Sequence, residues 1–205
     1  RNVDHIQTPM KKYLALGDSY TIGELVAAED NFPNQFCRII NEHGEHFDTP
    51  TIIAQTGWTS DELMNAIAVA KPSFDHDLVS LLVGVNNQYR SLNIDTYYWQ
   101  FYSLLCQAIL FARSNPQNVI VVSIPDWGLT PFNKDRDKQI VSAEIDQYNN
   151  INRELAGKLG TKYLDITHST RLHASDSNFL ATDLLHYSAT EYEIWARQLV
   201  NNFIE

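Results

Sequence analysis

Cysteine is scarce in this sequence, and so are positive charges and long apolar stretches. The only thiols are those of Cys37 and Cys106, and no CxxC or Cys/His spacing typical of a zinc site occurs. Both cysteines lie in apolar patterns of helical period, which favours two buried thiols that act as small hydrophobic side chains. A disulfide between them stays open, since the sequence does not give their separation.

Basic residues are outnumbered by acidic ones, 15 against 25, which gives a formal net charge of −10. Nucleic acids and anionic membranes both require basic patches, so this composition argues against either as the main partner. No stretch approaches the ~20 apolar residues needed to span a bilayer, and no signal peptide is visible. We therefore predict no integral membrane segment and expect a cytoplasmic protein. A secreted protein that has lost its signal is the alternative.

The start of the chain sets the predicted boundaries. The sequence begins with Arg1, and Met10 lies just before the first apolar run. We interpret residues 1–9 as an N-terminal arm, either loose or foreign to the natural protein. Residues 10–205 are predicted to form one domain, since about 100–200 residues per domain is usual.

Strand and helix patterns alternate along the chain. Five apolar runs rich in β-branched residues predict strands at Tyr13–Leu16, Thr51–Ala54, Leu78–Val83, Val119–Ile124 and Tyr163–Ile166. Several are apolar at consecutive positions, as expected when helices cover both faces of a parallel sheet. Five helical periodicities accompany them, and two of these helices follow apparent capping boxes, Thr59/Glu62 and Ser188/Glu191. The alternation predicts a three-layer α/β/α sandwich.

Polar residues and glycines follow the predicted strands. The first four strands are followed by Gly17-Asp18-Ser19, Gln55-Thr56-Gly57-Trp58, Gly84-Val85-Asn86-Asn87 and Pro125-Asp126-Trp127-Gly128, and Asp183-Leu184-Leu185-His186 precedes the last helix. Ligands of open parallel sheets bind beyond the carboxyl ends of the strands, so we expect these groups on one edge. A serine, an Asp/His pair and small or amide-bearing donors are the groups that acyl transfer requires.

The same segments carry a family resemblance. GDSYTIG (17–23), Gly57, GVNN (84–87) and DLLH (183–186) match, in order, the four conserved blocks of the SGNH or GDSL-type hydrolases. The sequence therefore resembles these esterases and acylhydrolases, which implies a flavodoxin-like five-stranded parallel sheet. Asn87 departs from the pattern, where aspartate is commoner. Because Asn86 is retained, this departure concerns the hydrogen bonding of the loop and the substrate preference, and not catalysis.

Chemistry and resemblance together suggest a role for each residue. Ser19 needs a base to become a nucleophile, and the imidazole of His186 can serve because imidazoles titrate near neutrality. Asp183, three residues earlier in a turn, can receive the Nδ1 proton and orient the ring. The resemblance implies an oxyanion hole formed by the backbone N–H groups of Ser19 and Gly57 and the side-chain amide of Asn86.

Aromatic residues in the loops are candidates for the pocket lining. They are Tyr20, Trp58, Tyr89, Trp127 and Phe132, and a role in packing the loops onto the sheet is an equally open interpretation. No metal site is predicted, since the side chains of Asp75-His76-Asp77 would alternate between the two faces of a strand. No glycine-rich phosphate loop is present either, so we expect no cofactor.

These observations predict a serine hydrolase that cleaves small-molecule carboxylic esters, with short-chain or lipid acyl groups, through an acyl-Ser19 intermediate. One alternative keeps this chemistry but acts on carbohydrate O-acetyl groups. Another is a non-catalytic flavodoxin-like binding domain, which would need neither the Asp-x-x-His pair nor the oxyanion donors. The sequence does not predict the oligomeric state.

Overall fold

Five parallel strands form the central sheet of the protein, whose computed structural model describes residues 7–205. The strands are β1 (Tyr13–Gly17), β2 (Thr51–Ala54), β3 (Leu78–Leu82), β4 (Val119–Val122) and β5 (Lys162–Leu164). They are hydrogen-bonded in the order β2-β1-β3-β4-β5. The predicted five-stranded parallel sheet is therefore confirmed. Residues 1–6 of the predicted N-terminal arm lie outside the described part of the chain.

Eight helices accompany the sheet within residues 7–205. They are α1 (Ser19–Ile22), α2 (Phe32–Glu42), α3 (Ser60–Ala70), α4 (Val85–Tyr89), α5 (Ile94–Phe111), α6 (Lys138–Leu159), α7 (Thr167–Leu172) and α8 (Ala189–Ile204). Helices α2 and α8 pack together as one layer, while α5 packs against both α3 and α6 in the other. The three-layer sandwich is the predicted architecture. None of the helices described is long and apolar enough to cross a membrane.

Burial on both faces of the sheet explains the consecutive apolar residues of its strands. Every residue of β1, β3 and β4 is buried, whereas the edge strand β2 is partly exposed. Cys37 lies on α2 and Cys106 on α5, in opposite layers, and both thiols are free. The disulfide that the sequence left open does not form, because the sheet separates the two cysteines.

Three strands end earlier than predicted: β3 stops at Leu82 and not at Val83, and in β4 and β5 side chains take over the backbone hydrogen bonds. β4 stops at Val122 and not at Ile124, whose N–H donates to Asn149 Oδ1 at 2.8 Å. β5 covers Lys162–Leu164 and not Tyr163–Ile166, since the Ile166 N–H donates to the Ser123 hydroxyl at 2.7 Å. These polar side chains fix the loops that leave the sheet.

Both predicted capping boxes are wrong. The Thr59 hydroxyl donates to the carboxylates of Asp61 and Glu62, and neither it nor the Ser188 hydroxyl accepts a hydrogen bond from a backbone N–H of the helix that it precedes. Ser188 donates instead to the Asn178 carbonyl at 2.7 Å. Glu191 is fully buried and accepts from Trp195 Nε1 at 3.2 Å. In α8 a partner outside the helix replaces the local motif at Ser188, whereas in α3 the acidic side chains of the first helical turn bind the Thr59 hydroxyl.

Three short helices were not predicted, and all of them begin near the carboxyl edge of the sheet. α1 and α4 begin within the GDS and GVNN segments, and α7 follows β5. Helices of four to six residues carry too little periodicity to stand out in a sequence. Of these helices, α1 carries Ser19 and α4 carries Asn86, two residues of the candidate site.

Gly84 makes the turn from β3 into α4 and cannot be replaced without strain. Its φ of +137° lies in a region that residues with side chains rarely adopt. A Cβ atom added there would lie 2.7 Å from the Tyr97 hydroxyl oxygen. Both the conformation and the close approach therefore require glycine at this position.

We expect Gly84→Ala to lower the free energy of unfolding by about 2 kcal/mol or more, because it adds backbone strain and a steric clash. Gly157→Ala is the matched control, since Gly157 lies in helix α6 with no atom within 4 Å of an added Cβ. That change should stabilise the protein by about 0.5–1 kcal/mol. Urea denaturation of the two variants measures both effects, and equal stabilities would contradict the interpretation.

Candidate active site

The structure brings a serine, a histidine and an aspartate together at the carboxyl edge of the sheet. Ser19 is the first residue of α1, directly after β1, and is 3% exposed. His186 Nε2 lies 3.1 Å from Ser19 Oγ, and His186 Nδ1 lies 2.5 Å from Asp183 Oδ2. With Nδ1 donating to the carboxylate, Nε2 is free to accept the serine hydroxyl proton. This geometry can generate a nucleophilic alkoxide.

Asp183 is held by the turn that also presents His186. Its Oδ1 accepts the backbone N–H groups of Leu185 and His186, both at 3.0 Å. Partial burial acts to raise the pKa of this carboxyl, but the hydrogen bonds from the His186 ring and the two N–H groups outweigh it and lower the pKa below its ordinary value. Asp183 therefore carries a negative charge beside the imidazole at neutral pH.

The segment from Gln55 to Trp58 forms a turn beside Ser19. The Trp58 N–H donates to the Gln55 carbonyl at 3.3 Å, and Gly57 has a φ of +86°, which glycine alone adopts readily. The Gly57 N–H donates to no acceptor among the described residues. This N–H is thus available to a ligand.

Side chains from two other segments hold this turn. The Thr56 hydroxyl donates to Glu24, which follows α1. Asn86 Nδ2, on α4, donates to the Trp58 carbonyl at 3.0 Å, and Arg90 Nη2, from the residue that caps the end of α4, donates to the Gly57 carbonyl at 2.6 Å. Asn86 and Arg90 are four residues apart and therefore share one face of the helix.

Asn87, the departure from the usual family pattern, has an anchoring role. Its Oδ1 accepts the Ser60 N–H at 3.0 Å, and its Nδ2 donates to the Ser60 hydroxyl at 2.9 Å. The same hydroxyl donates to Gln100. An amide can accept and donate where a carboxylate can only accept, so Asn87 ties the start of α4 to the start of α3.

A cavity of about 180 Å³ opens beside Ser19 and His186. Four of the five aromatic residues predicted to line the pocket do so: Tyr20, Tyr89, Trp127 and Phe132. Trp58 does not. Its side chain is half-buried against the core and lines a separate groove formed by β2 and α3. The lining also contains three residues that the sequence analysis missed, Thr56, Val85 and Leu185, although all three lie within the strand-end segments.

The aromatic wall of the cavity is rigid. Trp127 is 2% exposed, and its Nε1 donates to Gln88 Oε1 at 2.7 Å. Tyr89 packs edge-on against Trp127 with 5.1 Å between the ring centroids, and the Arg136 guanidinium lies 4.4 Å from the Tyr89 ring centroid. Stacking of this kind fixes ring orientation as well as contributing stability. The wall is thus formed before any ligand binds.

The described residues contain no group of three or more His, Cys, Asp or Glu side chains that could hold a metal ion. His76, in the Asp75-His76-Asp77 segment, is buried, and its Nδ1 lies 3.1 Å from the Phe111 carbonyl. That histidine has a structural partner and lies away from the cavity.

The fold and the site define the protein as an α/β hydrolytic enzyme with a serine at the carboxyl edge of its sheet, and sequence comparison gives the family. The profile of the GDSL-like lipase/acylhydrolase family matches residues 15–194, so the chain belongs to that family. It is a carboxylic ester hydrolase of the SGNH/GDSL type, which sets aside the non-catalytic alternative.

Solved structures with the same fold include several esterases. The lipase/acylhydrolase from Enterococcus faecalis is 21% identical, with a TM-score of 0.69 and coverage of 94% of each chain. Axe2, an acetylxylan esterase from Geobacillus stearothermophilus, is 17% identical, with a TM-score of 0.73 and coverage of 94% of each chain. The acetyl xylan esterase AlAXEase is 16% identical, with a TM-score of 0.72 over 93% of this chain and 98% of that one. No curated protein sequence matches significantly.

Asp18, next to the candidate nucleophile, has an unusual environment. It caps α1 by accepting the Tyr20 N–H on Oδ1 at 3.0 Å, while its Oδ2 is buried and has no partner among residues 7–205. Burial raises the pKa of Asp18 from 3.8 to about 7, and the hydrogen bond from Tyr20 offsets this only in part. Below about pH 7 the folded protein therefore favours the neutral carboxyl.

We expect this burial to make stability fall as the pH rises. Between about pH 4 and pH 7 the folded protein keeps Asp18 protonated while the unfolded chain ionises it, so the unfolded state binds fewer protons. Relative to Asp18→Asn, which cannot ionise, the wild type should lose up to about 4 kcal/mol across this window. Urea denaturation of both proteins at pH 4 and pH 8 measures the change, and a difference independent of pH would contradict the assignment.

Proposed function

We propose that the enzyme hydrolyses short-chain carboxylic esters with Ser19 as nucleophile, His186 as general base and Asp183 as the carboxylate that orients the histidine. The single observation that carries this proposal is the 3.1 Å contact between His186 Nε2 and Ser19 Oγ. Asp183 continues the chain of hydrogen bonds to Nδ1. These three groups supply the proton transfers that acyl transfer requires.

In the first half of the reaction, His186 takes the Ser19 proton as Oγ attacks the ester carbonyl carbon. The imidazolium that forms is stabilised by the negative charge of Asp183. The tetrahedral intermediate collapses to an acyl-Ser19 ester, and the alcohol leaves with the proton from His186 Nε2. Water deprotonated by His186 then attacks the acyl carbon, and the acid and free Ser19 are released.

The negative oxygen of each tetrahedral intermediate requires donors that are already in place. We assign this role to the backbone N–H groups of Ser19 and Gly57 and to Asn86 Nδ2. Support comes from the unsatisfied Gly57 N–H and from the lining of the cavity, which includes all three residues. Ser19 is the first residue of α1, so its N–H has no partner within the helix.

The size of the cavity favours a short acyl group. Its volume of about 180 Å³ is below the ~300–1,000 Å³ usual for pockets that enclose larger ligands. Val85, Leu185 and Trp127 contribute apolar surface to the wall. An acyl chain of about two to four carbons would bury its methylene groups there, whereas a fatty acyl chain would extend into solvent.

Carbohydrate O-acetyl groups are the second candidate substrate, on the same chemistry. Tyr89 and Phe132 line the cavity yet remain 40% and 41% exposed, so their rings are accessible at its mouth. Exposed aromatic rings offer a rigid apolar surface against which a sugar ring can pack. Two of the structural relatives are named as acetylxylan esterases, which is consistent with this choice.

We expect Ser19→Ala to reduce hydrolysis of p-nitrophenyl acetate by at least about 1000-fold while the protein stays folded, because no other group can form the acyl intermediate. A fluorophosphonate probe should label wild type stoichiometrically and Ser19→Ala not at all. Ser175→Ala, at an exposed serine outside the cavity, is the control and should behave as wild type. Full activity in Ser19→Ala would remove the proposal.

We expect kcat/KM for p-nitrophenyl esters to fall by about 10-fold or more between butyrate and octanoate, because the cavity cannot enclose the longer chain.

The sugar candidate is tested with an acetylated xylo-oligosaccharide. If sugar packs on the rim, Phe132→Ala should raise KM for that substrate but leave KM for p-nitrophenyl acetate unchanged. Equal effects on both substrates would count against a carbohydrate.

A further inference from the structure

We infer that Arg90 is a positioning residue for ester hydrolysis: it holds the turn that presents the Gly57 N–H to the oxyanion. The inference rests on the proposed function, in which that N–H is an oxyanion donor. The observation is the hydrogen bond from Arg90 Nη2 to the Gly57 carbonyl, at 2.6 Å. Neither Arg90 nor the Gly57 carbonyl acts as the nucleophile, the general base or the general acid of the reaction.

The Gly57 turn needs support from outside. Gln55 and Thr56 are exposed, and the turn lies beyond the end of the edge strand β2, outside any helix or strand. Glycine adopts positive and negative φ with similar ease, so the Thr56–Gly57 peptide that carries the donor N–H can rotate at little cost. The sign of φ at the third position of such a turn decides which way that N–H points.

Arg90 restricts the rotation of this turn by binding the Gly57 carbonyl, which lies on the other side of the glycine Cα from the donor N–H. A guanidinium donor makes a stronger hydrogen bond to a carbonyl than a neutral donor does. Arg90 Nη1 also donates to Glu62 Oε1 at 3.0 Å, so the guanidinium is itself fixed to helix α3. The Gly57 carbonyl is therefore attached to a framework formed by two helices.

Helix α4 also connects Arg90 to Asn86, another proposed oxyanion donor. Arg90 follows Asn86 by one helical turn, and its N–H donates to the Asn86 carbonyl at 3.0 Å. Asn86 Nδ2 reaches the next carbonyl of the turn, that of Trp58. One short helix thus sets the relative position of two oxyanion donors, and a displacement of about 1 Å can cost roughly 100-fold in rate.

The exposure of Arg90 separates this role from a contribution to folding. Its side chain is 46% exposed and that of Glu62 is 40% exposed. Ion pairs at such positions contribute little to stability. Removal of Arg90 should therefore change turnover far more than it changes the thermal midpoint.

The test compares Arg90→Met with wild type on p-nitrophenyl acetate. We expect kcat to fall about 10-fold or more, KM to stay within about twofold and the thermal midpoint to stay within about 3 °C. Arg90→Lys should recover only part of kcat, since an ammonium group can still donate to the carbonyl but lacks the planar pair of donors that also binds Glu62. Arg197→Met is the control, because Arg197 forms an exposed ion pair with Glu193 on α8 and should leave kcat unchanged.

A second measurement is the rate at which a fluorophosphonate labels Ser19. This reaction also places an oxygen in the oxyanion hole, so its rate should fall in Arg90→Met. The inference is overturned if Arg90→Met keeps kcat and labelling rate within twofold of wild type, or if kcat falls only in step with the thermal midpoint. Ser19→Ala separates the two proposals. If it is inactive while Arg90→Met is fully active, only the inference fails; if it is fully active, both fail.

Discussion

The hydrogen bond between Ser19 Oγ and His186 Nε2 joins two segments that are 167 residues apart, and the rest of the site depends on it. Parallel strands make this contact feasible because all of their carboxyl ends reach the same edge of the sheet. Packing of α8 against α2 then returns the end of the chain to its beginning. The Tyr20 ring completes the junction by packing against His186, with 5.2 Å between the ring centroids.

Two carboxylates near this contact have opposite environments. Asp18 is fully buried with one oxygen unpartnered, and burial raises its pKa to about 7. Asp183 is partly exposed and accepts three hydrogen bonds through its two oxygens, which together lower its pKa. Complete burial of Asp18, and hydrogen bonding to the ionised form of the less buried Asp183, thus separate the two pKa values. Asp183 is the carboxylate that contacts the imidazole ring, through Nδ1.

The loops at the carboxyl edge of the sheet are held in fixed positions, so the site is preorganised. Each of them is attached by polar side chains: Asn87 fixes α4 to Ser60, and Asp126 accepts both the Gly128 N–H and Arg171 Nε at 3.0 Å. A catalytic site benefits from such attachment because donors that are already oriented need no reorganisation during the reaction. The same reasoning explains why Gly57, which is free to adopt many conformations, is hydrogen-bonded through its carbonyl to Arg90.

The sequence alone determined the parallel sheet, the bounds of β2 and the segments at each strand end, because apolar periodicity and motif order are local properties of the chain. It also identified the family and the three residues now found in contact. The tertiary structure alone decided which partners polar side chains choose. Ser188 differs from the capping-box prediction because its hydroxyl donates to the Asn178 carbonyl outside the helix, and folding decided that Trp58 packs in the groove of β2 and α3, one of the two roles that the sequence left open. The Arg90 contact with Gly57 was likewise decided by folding, as it joins segments 33 residues apart.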